Sequence, residues 1–183
     1  MQRFAPLDEA AITDEQRIVR DAIASGPRGA VRGPFNALLR SPELADRAQK
    51  LGEYVRYNSS LPARLSELAI LVVARYWTAQ YEWYAHSRLA LAAGLAPRIV
   101  DDIAQGRRPA PMQADESAVY EFCRELHEKK SVGDAAYKAV YDLFGERGAV
   151  DLVGISGYYT LVSMVLNLDR APLPADAITL PEL

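Results

Sequence analysis

Two glutamates and a histidine are the residues of this chain best suited to chemistry. Glu67, Glu82 and His86 lie in or beside its most apolar stretch, which reads SELAILVVA and then RYWTAQYEWYAH. A carboxylate and an imidazole placed together can take up and return a proton near neutral pH. Glu82 and His86 are four residues apart, so on a helix they sit one turn apart, about 40° apart in projection. Glu67 precedes Glu82 by fifteen residues. On one unbroken helix it would lie more than about 20 Å away along the axis. The three therefore form a site only if the chain bends back between them. The aromatic cluster at Trp77 and Thr78 is the place for that bend, with Thr78 as the cap of the second helix. Structural roles remain open beside this one. Glu67 would suit a solvent-facing position in a first helical turn, and His86 would suit a half-buried position satisfied by Glu82.

Other chemistries find less support. Glu82, His86 and Glu67 could ligate a metal, but no second helical histidine accompanies them, and His127 in CRELHEKK reads as a polar helix edge. No metal is expected. Cys123 is the only cysteine, which excludes an intramolecular disulfide and a cysteine zinc site. It falls at a core position between Phe122 and Leu126, where a thiol is ordinarily inert. No GxSxG, GxGxxG or P-loop pattern occurs. No cofactor is expected.

The elements that must position these residues are helical. The 183 residues are half hydrophobic and a quarter charged, with net charge −3, enough for one domain with a core. The absence of a basic cluster argues against nucleic acid, and the lone cysteine fits a reducing cytoplasm. Thr13 and Gln16 form a capping box whose helix would turn Ile18, Val19, Ala22 and Ile23 inward. Ser41-Pro42 starts another helix, with Leu44, Ala48, Leu51 and Val55 as its apolar face. Helical pattern then runs from about 63 to 93 and ends at Gly94. Shorter patterns follow around Ile99, Val100 and Ile103, around Val119, Phe122, Cys123 and Leu126, and around Tyr137, Val140, Tyr141 and Phe144, the last ended by Gly145. The uncharged run 152–168 approaches membrane-span length. Its Gly, Ser, Thr and Asn content and its flanking Asp151 and Asp169 favour a buried or intersubunit helix instead. The expectation is an all-α single domain of seven to eight helices, with an N-terminal helical arm over about residues 1–30. A homo-oligomer, not a membrane protein, is expected.

The stretch ELAILVVARYWTAQYEWYAHSRLALAAGL resembles the carboxymuconolactone decarboxylase family, which shares the alkylhydroperoxidase D-like fold. The resemblance rests on Glu67, the YEW tripeptide 81–83, His86 and the AGL at 93–95. GPFNALLRSPELA (33–45), LGEYVRYNSSLPAR after it and GYYTLVSMVLN (157–167) resemble flanking parts of longer members. It implies an all-α fold around a two-helix unit, assembled as a trimer, hexamer or dimer, and supports a break between the Glu67 and His86 helices. It also implies two chemistries. The peroxidase branch uses a CxxC pair four and seven residues before the matching histidine. Here those places hold Ala79 and Glu82, so disulfide-based peroxide reduction lacks its cysteines. The decarboxylase branch needs no cofactor, and its pattern is similar to Glu67, Glu82 and His86. The implied activity is cofactor-independent acid/base catalysis on a small organic acid or lactone. Glu67 and His86 would be the proton-transfer pair, with Glu82 assisting. Arg75 and Arg32 are candidates for a substrate carboxylate, and Tyr81, Asn36 and Tyr158 for other substrate contacts. A peroxidase-like enzyme and a non-enzymatic ligand-binding bundle remain the alternatives.

Overall fold

The computed structural model of the chain describes residues 1–182. It is all-α, with eight helices and no strand among the described residues. In order these are α1 (Asp14–Ser25), α2 (Phe35–Leu38), α3 (Pro42–Glu53), α4 (Ala63–Tyr76), α5 (Gln80–Ala92), α6 (Pro97–Ala104), α7 (Ala114–Lys129) and α8 (Asp134–Asp169). A single π-helical turn, Tyr54–Asn58, continues α3.

Helix α4 is the axis of the molecule. Every residue from Leu65 to Ala74 is buried. A helix apolar on all sides must be surrounded, and α5, α7 and α8 pack around this one. Glu67 is carried inward with it. Helix α8 is long and apolar enough to cross a membrane by length and composition, yet more than half of that apolar window is buried. It bends at Gly145, whose φ of 65° interrupts the helical path, where the sequence placed a helix end.

Two helices turn a different face inward from the one expected. On α1, Val19 and Ile23 are buried but Ile18 and Ala22 are exposed. On α3 the buried face is Ala45, Ala48, Gln49 and Gly52, while Leu44 and Leu51 face out. Small residues let α3 lie close to its neighbours, and larger side chains on that face would not fit. Gly52 shows the closeness: a Cβ there would collide with Tyr158 and Arg28. Tyr137 and Tyr141 are likewise largely exposed, stacked on each other rather than buried. The capping box at Thr13 and Gln16 forms as expected. Ser41 makes no side-chain capping bond, and Pro42 alone marks that start.

Both chain ends are tied down beside the core. Asp169 accepts hydrogen bonds from Gln2 Nε2 and Phe4 N. Gln80, at the start of α5, exchanges two hydrogen bonds with the backbone of Leu180.

Candidate active site

The bend between α4 and α5 is real and tightly built. Trp77 ends α4, Thr78 takes the left-handed conformation with φ 46°, and Ala79 begins the return. Ala79 N donates to Ala74 O at 2.8 Å and Thr78 N to Arg75 O at 3.0 Å. These are the paired bonds of a Schellman turn, which ordinarily places glycine where Thr78 stands. The turn that ends α5 does place Gly94 there, with φ 92°. Left-handed geometry costs a β-branched residue about 1–2 kcal/mol, and strain of this kind persists where surroundings enforce it. Here Asn167 donates to the Trp77 carbonyl at 2.9 Å, and Trp77 Nε1 to Thr160 at 3.3 Å. Thr78 therefore shapes the turn through its backbone. It does not cap α5, whose N-cap is Ala79 with no side-chain bond.

The fold-back brings the three residues together. His86 Nδ1 lies 2.6 Å from Glu67 Oε2, and His86 Nε2 lies 3.0 Å from Glu82 Oε1. All three are buried, at 8% exposure for Glu67, 3% for Glu82 and 5% for His86. Glu67 is thus not a solvent-facing acid. With a carboxylate on each ring nitrogen, the imidazole is held as a double donor, the protonated form. Burial alone would push its pKa down. The charge of Glu82, the hydrogen bonds to Glu67 and Glu82, and the charge of Glu67 together overcome that and raise it from 6.5 to about 9. Glu82 also lies in the first turn of α5, where the positive end of the helix dipole favours a carboxylate. The edge of Tyr159 packs against the imidazole, with ring centres 5.0 Å apart.

One side of this cluster opens on a cavity of about 300 Å³. Glu82 and His86 line it and Glu67 stands behind them. Tyr81, Tyr158 and Tyr159 supply aromatic wall, and Arg28, Arg32 and Arg56 supply positive charge. Arg56 and Tyr57 arrive on the π-helical turn, a local geometry frequent at functional sites. Asp151 of α8 holds that region by accepting from Tyr54 Oη at 2.9 Å and from Ser60 N and Oγ at 2.7 Å each.

Residues 42–125, from the start of α3 into α7, match the carboxymuconolactone decarboxylase family. The match covers a little under half of the chain. It contains Glu67, Glu82, His86 and Arg56, while Arg28 and Arg32 precede it and Tyr158 and Tyr159 follow it. No curated protein matches the sequence. Three solved structures share the fold. A peroxidase-related protein from Ralstonia eutropha JMP134, described as an alkylhydroperoxidase AhpD core, aligns with TM-score 0.76 at 16% identity, covering 96% of this chain and 93% of its own. The debrominase Bmp8, solved in complex with 2,3,4-tribromopyrrole, aligns with TM-score 0.72 at 12% identity over 96% and 93%. A peroxidase-related protein from Silicibacter sp. TM1040 gives 0.73 at 14% identity over 96% and 92%. The architecture is therefore alkylhydroperoxidase D-like.

Around this decarboxylase-family segment, the expected substrate contacts divide. Tyr81, Tyr158 and Arg32 line the cavity. Arg75 does not: its guanidinium donates to the carbonyls of Pro181 at 2.8 Å and Ala104 at 3.3 Å, on the far side of α4. Asn36 does not either, because its amide donates to the carbonyl of Phe4 at 3.1 Å and holds the N-terminal arm. Arg75 is close to the cluster only along the chain, and residues of one helix point to different sides. Tyr159, for which the sequence left a core role and a pocket role open, also lines the cavity, whereas Arg28 and Arg56 were missed. A signal for Arg28 was available: no acid occurs between Asp21 and Glu43, so arginines in that stretch have no local partner.

Proposed function

We propose that this chain is a cofactor-independent acid/base enzyme that decarboxylates, or moves a proton on, a small organic acid or lactone. The observation that carries the reading is the relay Glu82–His86–Glu67, of which only the first two members face the cavity. Glu82 therefore takes the substrate-facing role, and Glu67 holds the far side of the imidazole. In a decarboxylation, the bond to the departing carboxylate breaks as CO2 leaves. Its electron pair passes into the substrate's own carbonyl or lactone. Glu82, protonated through His86, returns one proton to the carbon that lost CO2, and solvent restores that proton to the relay. Water is largely excluded from the relay, which strengthens each of these interactions.

A peroxidase-like reading draws on two structural neighbours that are peroxidase-related proteins. Cys123, the only thiol, is fully buried against Ser156, and burial pushes its pKa up to about 12. A thiolate nucleophile is disfavoured there. A ligand-binding bundle without catalysis would need no charged relay at the cavity wall.

Val150, Val153, Met164 and Leu168 form an exposed apolar stripe on α8. They support a homo-oligomer, a dimer, trimer or hexamer; a cytoplasmic location and metal-free working are further parts of the proposal.

The test is a thermal-shift screen of lactones and keto acids, followed by assay of CO2 release on the compounds that bind. Turnover should vanish in Glu82→Gln and fall in Glu67→Gln. In the Glu67 variant the alkaline limb of the pH profile should move to lower pH, since one of the groups raising the His86 pKa is gone. Hydroperoxide consumption lost in Cys123→Ser, with no CO2 release, would replace this reading by the peroxidase one.

A further inference from the structure

We propose that Arg28, carried by the N-terminal arm outside the family segment, selects anionic over neutral ligands in this cavity, with Arg32 and Arg56 beside it. The proposal rests on the cavity being the substrate site. It assigns the grip on the ligand to residues other than the proton relay.

Arg28 is half-buried, and its Nε has no hydrogen-bond partner. Its remaining contacts are neutral: Nη2 lies 3.3 Å from Tyr158 Oη, and the guanidinium lies over the Phe35 ring at 4.8 Å. Among the described residues no carboxylate pairs with Arg28, Arg32 or Arg56. Arg64 shows what this chain does with a partly buried arginine of structural purpose: it pairs with Asp115 and Glu116. An unpaired, partly buried guanidinium is expensive, and an anionic ligand is the partner that would satisfy it. The fork of donors on Arg28 suits a carboxylate in bidentate geometry.

The charges around the cavity agree. Arg28, Arg32, Arg56 and protonated His86 are four positive groups, against the two carboxylates of Glu67 and Glu82. The cavity is thus net positive although the whole chain carries net charge −3. The backbone is also shaped for Arg28. Gly52 is buried where any Cβ would collide with Arg28 Nη2 and Tyr158 Oη. Arg28 does not serve a carboxylate that leaves as CO2. Binding a charge that disappears in the transition state would hold back the reaction. It serves an anionic group that stays.

The experiment is calorimetric titration of the full-length protein with malonate, succinate and glutarate, and with succinamide as the neutral counterpart. Wild type should bind at least one dicarboxylate and not succinamide. Arg28→Gln should weaken that binding at least about tenfold, and Arg28→Lys should recover only part of it. Gly52→Ala should weaken it too, by displacing Arg28. Circular dichroism checks that each variant folds. His86→Gln should weaken dicarboxylate binding far less than Arg28→Gln. If the acid/base reading fails, the anion cradle therefore still stands or falls alone. Three results overturn the proposal: no dicarboxylate binding at millimolar concentration, equal binding of succinamide, or wild-type binding in a folded Arg28→Gln.

Discussion

Each of the chain's two histidines lines a cavity, and these two cavities are nearly equal in size. His86 faces the cavity of about 300 Å³ and His127 one of about 280 Å³ on the opposite side of α4. Both imidazoles are buried, and there the similarity ends. His86 is clasped by two carboxylates, and its pKa rises to about 9. His127 stacks on Tyr76 with ring centres 5.1 Å apart, its Nε2 has no partner, and burial with the charge of Lys130 lowers its pKa. The arginines differ in the same sense. In the second cavity Arg124 pairs with Glu121 and Glu128, Arg107 pairs with Asp102, and Arg75 is held by backbone carbonyls. In the first, the arginines have no carboxylate partner among the described residues. A buried histidine beside arginines is therefore not enough to mark a site. Charge held ready on the imidazole and left unsatisfied on the guanidiniums is what separates the two cavities.

The comparison can be broken most sharply by exchanging one histidine at a time. His86→Gln should lower turnover on any accepted substrate at least about a hundredfold. His127→Gln should leave turnover near wild type. Equal effects in the two variants would erase the distinction. A second contrast concerns pH and stability. The His86 pKa is about 9 in the folded state against 6.5 as its ordinary value. Its contribution, of order 3 kcal/mol, is complete below 6.5 and disappears as pH rises through about 9. His127 has the opposite sign: its folded pKa is lowered, so it costs stability as pH falls below its ordinary value. Urea unfolding across pH should show the alkaline loss in wild type and lose it in His86→Gln. A smaller effect is expected from Arg75→Ala, which releases the C-terminal segment at Pro181. Stability should drop by about 1–2 kcal/mol with turnover unchanged, and a loss of turnover would return Arg75 to the site. The smallest effect belongs to the turn that joins the two regions. Thr78→Gly relieves a strained left-handed residue but frees the unfolded backbone, so stability should rise by no more than about 1 kcal/mol.

The Glu67–Glu82–His86 cluster was legible because of a contradiction. Glu67 and His86 sit in an apolar run where lone charges are costly, and only a bend at Trp77–Thr78 lets them neutralise each other. The helix pattern disclosed that geometry because it is local. The arginine cradle was legible only in part, through Arg32 and the missing acids around Arg28, because its members are not local. Arg28, Arg56 and Tyr158 come from the arm, the π-helical turn and α8, and sequence distance carries no information about such meetings. Arg75 was the misleading case, close to the cluster in the chain and on the other side of the helix in space. The inward face of α3 was missed because hydrophobicity favours Leu44 and Leu51, whereas close packing selected Ala45, Ala48 and Gly52.

The claim on which the rest depends is that two carboxylates keep a buried imidazole charged at the cavity wall. NMR of protein labelled in its histidine rings, followed across pH and assigned through His86→Gln, measures this without any substrate. The His86 ring should hold protons on both nitrogens at neutral pH and titrate near 9. A His86 ring that is neutral at pH 7, titrating at or below 6.5, would contradict the account.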